Sequence, residues 1–141
     1  MSGKISKPIG IIYKAKFCLP TTSLSTSYFC LVYPYLVYCI SVWGSTHTSN
    51  LNCIFVLQKK VTRIIPKSAF DAHTELIFKQ LKILKLSDIC RSQIGKFMFS
   101  SKKGLFPDAF SEIFLLTNQI HHYNTRNSNS FYLFSCRTNI R

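Results

Sequence analysis

Acid is nearly missing from this sequence. Asp71, Glu75, Asp88, Asp108 and Glu112 are its five carboxylates, set against 18 Lys plus Arg over 141 residues, which leaves a formal charge of +13. Metal-assisted phosphoryl transfer needs two or three carboxylates converging on Mg²⁺, and no adjacent Asp-Asp pair occurs. Asp71/Glu75 and Asp108/Glu112 are spaced to share a helix face. Asp108 follows Pro107 directly, so its pair reads as helix-start charge matched to the macrodipole. The nucleotide-cradling Gly-rich loops and the G-x-S-x-G nucleophile turn are also missing. The six cysteines (18, 30, 39, 53, 90 and 136) include no C-x-x-C. They read as free thiols acting as small hydrophobes in a reduced, intracellular compartment, cytoplasm or nucleus. His121, His122 and Cys136 match no zinc spacing and read as loop residues. His73 sits where a helix cap would and reads as structural. No cofactor is expected.

A second absence is more unusual: residues 17–58 contain no Lys, Arg, Asp or Glu. Leu24 to Trp43, the centre of this stretch, is long enough for a membrane span. Ser23, Thr26, Ser27 and Ser41 are polar, however, and Pro34 interrupts the middle. Tyr28, Tyr33, Tyr35 and Tyr38 are scattered through it rather than gathered at two interfaces. A buried core helix is the favoured reading, with Thr21 or Thr22 as N-cap and Gly44 as the residue closing it. A small membrane protein spanning with Leu24–Trp43 is the alternative.

What is present is mostly helical pattern. At 47% hydrophobic and 16% charged, the chain can bury a core. The opening run KISKPIGIIYKAKFCLP puts Ile5, Ile9, Ile12 and Tyr13 near helical spacing among lysines, with Pro8 tolerable close to a helix start and Pro20 as a stop. Residues 49–65 repeat Leu51, Ile54, Leu57 or Gln58, Val61 and Ile64/Ile65 before Pro66. A short helix follows over 75–80, capped by Asp71 or Thr74, and 82–85 reads as a linker. The clearest helix starts at Ser87 as N-cap. It carries the stripe Leu86, Ile89, Cys90, Ile94, Phe97 and Met98 and ends at Lys102-Lys103-Gly104. Gly95 inside it costs up to about 1 kcal/mol against Ala and would admit a closely packed neighbour. Pro107 starts another helix, over 107–117, and 131–134 has the composition of a short strand. The fold class is therefore mainly α, an irregular bundle of about five helices. The helical region covers 1–117, and a poorly ordered polar tail over 118–141 reads as truncated.

So basic a chain attracts polyanions. Lys59, Arg63 and Lys67 are spaced by fours with Lys60 one step round, a row that suits a phosphate backbone. Arg126, in the polar turn HHYNTR, is a second phosphate or carboxylate candidate.

Five phrases, in order, resemble one family: ISKPIGIIYK (5–14), LVYPYLVYCISVWG (31–44), LQKKVTRII (57–65), FKQLKILK (78–85) and HHYNTR (121–126). Together they are similar to the region downstream of the polymerase palm in non-LTR (LINE-type, jockey-like) retrotransposon reverse transcriptases. The resemblance implies a thumb-like helical segment that packs on the parent enzyme's palm and holds RNA–DNA or RNA without sequence preference. The fingers, palm and catalytic aspartates of that family have no counterpart here, so the implied segment is not itself an enzyme. In that family 24–43 would be an internal helix of a non-membrane protein, which lowers the membrane reading further. A decayed remnant without function is the third reading.

Overall fold

The computed structural model describes residues 2–110, 113–121 and 126–133. The chain is mainly α-helical, as expected. Its helices are α1 (Ser2–Ala15), α2 (Thr21–Leu31), α3 (Tyr33–Val37), α4 (Ile40–Trp43), α5 (Thr48–Ile64), α6 (Thr74–Gln80), α7 (Leu86–Lys102) and α8 (Thr117–Ile120). Five of these have seven residues or more. The chain divides into two compact units, Met1–Gly95 and Lys96–Arg141, so the expected boundary at 117/118 falls inside the second.

The first unit is built around α5. Its stripe buries Ile54, Val61, Ile64 and Ile65. Across from it, α1 buries Ile5, Ile9 and Ile12 while Tyr13 stays half exposed. Each such apolar side chain contributes roughly 1.5–3 kcal/mol on burial. Pro8 lies well inside α1 rather than near its start, and is itself buried. The backbone bond it cannot make costs about 3 kcal/mol, and the buried isoleucines on either side offset that cost.

The long uncharged stretch is not one helix. Pro34 ends α2 and starts α3, and Cys39 takes a left-handed conformation (φ 52°) between α3 and α4. Three short helices then turn Leu24, Tyr28, Val32, Leu36 and Ile40 onto the core. Among the described residues no helix is long and apolar enough to cross a membrane. Pro20 occupies the N-cap of α2 in place of Thr21 or Thr22. Gly44 does not take the left-handed closing conformation; its φ is −69°. It is needed for space, since a Cβ there would run into the Ile40 carbonyl and lie 2.5 Å from the Cys90 sulfur. The thiols are less buried than their apolar neighbours suggest: Cys18, Cys30, Cys39 and Cys53 are exposed, and Cys90 is half-buried.

Gln58 joins these elements. Its side chain is fully buried. Nε2 donates to the Tyr28 hydroxyl at 3.1 Å and to the Leu84 carbonyl at 2.8 Å, while Oε1 accepts the Leu86 N–H at 2.9 Å. Gln58 thereby satisfies a backbone donor at the start of α7, and Ser87 lies one residue inside the helix instead of capping it. Thr62 is buried too and returns its hydroxyl to the Gln58 carbonyl at 2.8 Å. Burial pushes the Tyr28 phenol up to about 12; the Gln58 hydrogen bond opposes this and Tyr33 adds to it.

Helices α5, α6 and α7 end in the same way. In each, one residue takes a left-handed conformation, and its own amide and the next one donate back to the last turn: Lys67 with Ser68, Lys82 with Ile83, Gly104 with Leu105. This is the Schellman arrangement. Glycine fills it at 104, as the sequence suggests. At 67 and 82 lysine accepts the conformational cost and places a cation against the helix carbonyl end, where the macrodipole favours it.

Capping of α6 falls to His73, the residue that sits at a cap in the sequence, and not to Asp71 or Thr74. His73 holds the N-cap position without a side-chain bond, and Asp71 lies outside the helix, so Asp71 and Glu75 do not share a helical face. Glu75 instead pairs with Lys85 at 2.8 Å, and that contact holds its carboxyl below the usual range.

In the second unit Pro107 starts only a single 3-10 turn, Asp108–Phe110, rather than a helix over 107–117. Phenylalanines 97, 106, 110 and 114 have cluster geometry instead, with ring centroids 4.6 Å apart for 97/106 and 5.4 Å for 106/110. Gathering these rings outweighs a helical preference that aromatics hold weakly. Part of the expected tail folds back: Leu116 bridges Phe131, and the Tyr132 amide donates to the Leu115 carbonyl at 2.8 Å. The strand expected over 131–134 is that single bridge, and Phe134 lies outside the described residues. No strand longer than the bridge occurs among the described residues.

Two sets of substitutions test this packing. Nothing lies within 4 Å of a Cβ placed at Gly95, so no close neighbour explains that glycine. Gly95→Ala should raise stability by roughly 0.5–1 kcal/mol and Gly44→Ala should lower it, both read by urea unfolding; a loss at 95 contradicts the open site. Gln58→Leu should cost about 3 kcal/mol by stranding its partners. Tyr28 adds a pH signature. Its folded pKa lies above the ordinary 10.0, so its contribution is whole below pH 10 and disappears as pH rises through about 12. Tyr28→Phe should lose that part of the alkaline decline; identical profiles from pH 9 to 12 would show that the phenol is not buried.

Candidate nucleic-acid interface

Helix α5 has two working faces. One carries Gln58, Val61 and Thr62 into the core. The other carries Lys60 and Arg63 outward, toward the C-terminal part of α1 and the turn that follows Pro66. Lys16, Lys60, Arg63 and Lys67 line one surface cavity of about 250 Å³, together with Tyr13, Ile64, Ser68 and Phe70. A second cavity of about 410 Å³ shares Tyr13, Lys60 and Phe70 and continues along Ser6, Ile9, Gly10 and Leu57. Four cations and two aromatic rings therefore border one groove, and none of the residues lining either cavity is acidic. Asp71, next to Phe70, is exposed on the same turn.

Local structure explains how each side chain arrives there. Arg63 is the penultimate residue of α5, and its Nε donates to the Ala72 carbonyl at 3.0 Å, which ties the 66–73 turn back to the helix. Its guanidinium lies 5.9 Å from the Phe70 ring centroid, within cation–π range. Lys67 reaches the groove because it takes the left-handed position closing α5 (φ 57°). Lys16, just past α1, lies 4.3 Å from the Tyr13 ring centroid and 5.0 Å from that of Phe17.

Of the residues singled out from the sequence, Lys60, Arg63 and Lys67 come together. Lys59 does not join them. It stacks 4.4 Å from the Phe55 ring centroid on a different side of α5, and Phe55 in turn stacks on Phe78. Arg126 is exposed in a turn of the second unit. Lys16, Tyr13 and Phe70 join the groove from outside that charge row. The pairing of α1 with α5 that brings in Lys16 and Tyr13 spans some forty-five residues of sequence and leaves no local pattern. Phe70 did leave a signal: it is a large aromatic in a turn, PKSAFDAH, that otherwise reads as polar.

A third cavity in the first unit, about 330 Å³, is lined mainly by apolar groups of Ile40, Trp43, Leu51, Phe55, Leu86 and Cys90, and also by Arg91. Arg91 lies 3.9 Å from Asp88, an exposed pair that contributes little. Among the described residues no three His, Cys, Asp or Glu side chains come close enough to hold a metal ion. His122, Cys136 and Glu112 lie outside the described residues. No protein-family model matches the chain, and neither the curated proteins nor the solved structures contain a significant match to it.

Proposed function

We propose that this chain is a non-catalytic, nucleic-acid-gripping segment of the thumb-like kind that follows the palm in non-LTR retrotransposon reverse transcriptases. The observation that carries this reading is the acid-free groove bordered by Lys16, Lys60, Arg63 and Lys67. Cations on a groove position a phosphate backbone without reading its sequence. The resemblance supports the same reading from another side. Two of its five phrases, 5–14 and 57–65, fall on α1 and α5, the two helices that build the groove. The chemistry of polymerisation would belong to a palm supplied elsewhere, since this sequence has five carboxylates and no adjacent pair of them. That palm is the natural protein partner, and an intracellular site of action follows from it.

Counterion release supplies the test. Each phosphate neutralised adds roughly −0.9 to the slope of log affinity against log salt for a duplex. Binding of an RNA–DNA duplex, followed by fluorescence anisotropy between 50 and 200 mM salt, should therefore weaken steeply. The triple variant Lys16→Ala, Lys60→Ala, Lys67→Gly removes three groove cations and keeps the left-handed residue compatible with its backbone. Its slope should be shallower by roughly two to three units. Lys59→Ala, off the groove, should leave the slope nearly unchanged. An affinity indifferent to salt, or a slope that Lys59→Ala alters as much as the triple variant, would remove the groove from the account.

A further inference from the structure

We infer that the groove takes single-stranded nucleic acid, holding phosphates on its cations and stacking an unpaired base on Phe70 and Tyr13. This rests on the phosphate-gripping reading above and goes beyond it by naming the form of the polymer.

The argument begins with what a duplex does not need. A helix of paired bases presents phosphates outward and base faces inward, so a purely cationic groove would suffice to hold it. This groove spends exposed aromatic surface as well. Phe70 is 83% exposed and Tyr13 48%, and Phe17, which lines neither cavity but packs against Tyr13, is 75% exposed. Leaving such rings in water forgoes the gain of burying them. Their setting is also specific. Each has a cation at its face or edge: Lys16 at Tyr13 and Phe17, Arg63 at Phe70. Phe17 meets Tyr13 edge-on, with centroids 6.4 Å apart. Cations and rings are thus interleaved in two places, Lys16 with Tyr13 and Phe17, and Arg63 with Phe70, and Tyr13, Lys16, Arg63 and Phe70 line the same cavity. Interleaved rings and cations are the arrangement that binds single strands with little sequence preference, because every base has a stacking face.

Phe70 is held for this task by something other than its own burial. The Arg63–Ala72 hydrogen bond fixes the turn, and Arg63 lies beside the ring. Gly10 leaves the floor of the adjoining cavity open, with nothing within 4 Å of a Cβ placed there. An apolar protein surface could also cover exposed rings, but four cations bordering the same groove oppose an apolar partner and favour a polyanion.

The experiment compares three fluorescein-labelled probes of equal length at one salt concentration: an oligo-uridine strand, an RNA–DNA duplex, and a strand of the same backbone lacking its bases. The wild-type chain should bind the oligo-uridine about tenfold more tightly than the base-free strand. Phe70→Ala should weaken oligo-uridine binding by about tenfold while changing duplex and base-free binding less than twofold, and Phe70→Trp should restore it. Because Phe70 is exposed, far-ultraviolet circular dichroism should show Phe70→Ala folded as the wild type. Equal losses on all three probes would assign Phe70 to turn structure and overturn the inference, as would no loss on any. In either of those cases, salt-dependent duplex binding would leave the phosphate-gripping reading standing. If no probe binds at low salt, both readings fail together.

Discussion

The buried carboxamide of Gln58 is the contact on which the first unit depends. It bonds at once to α2, to the segment between α6 and α7, and to the first turn of α7. A polar side chain in an apolar core is costly unless every group finds a partner, and among the described residues no buried side-chain polar atom is left without one. That satisfaction fixes the rotation of α5. A turn of α5 about its axis would break three bonds in the interior and, at the same time, swing its cations away from α1. Core and surface are therefore set by the same helix and the same angle.

The groove inherits its order from that constraint. Lys60 and Arg63 point where they do because Gln58, Val61 and Thr62 point inward. Lys67 arrives through a left-handed helix end, and Phe70 through the turn that Arg63 pins to Ala72. Little of this involves ion pairing. The close pair Lys85–Glu75 lies at the end of the 82–85 segment, not among the groove's lining residues, so the positive charge of the groove is not consumed internally.

Sequence periodicity made the mainly helical class legible, along with the stripes of α1, α5 and the first half of α7, and the stop at Pro66. It failed where several short elements imitate one long one. Between 24 and 43 the apolar run breaks twice: Pro34 marks the first break in the sequence, whereas the left-handed turn at Cys39 has no Gly or Pro to announce it. Between 107 and 117 the helical spacing of Phe110, Ile113 and Phe114 is real, yet ring clustering decides the backbone. Half of the groove was legible as a charge row. The other half was not, because Lys16 and Tyr13 come from a helix distant in sequence, and Lys59 looked equivalent to Lys60 until Phe55 claimed it.

Lysine reactivity read with and without nucleic acid measures the central claim most directly. The full chain is acetylated briefly at low salt, alone and saturated with an RNA–DNA duplex, and modification is quantified by mass spectrometry at each lysine. Protection should concentrate on Lys16, Lys60 and Lys67, while Lys59, stacked on Phe55, and Lys85, paired with Glu75, change little. Protection spread evenly over all lysines, or centred away from the α1–α5 groove, would contradict a built phosphate-binding surface and leave only the general attraction of a positively charged chain.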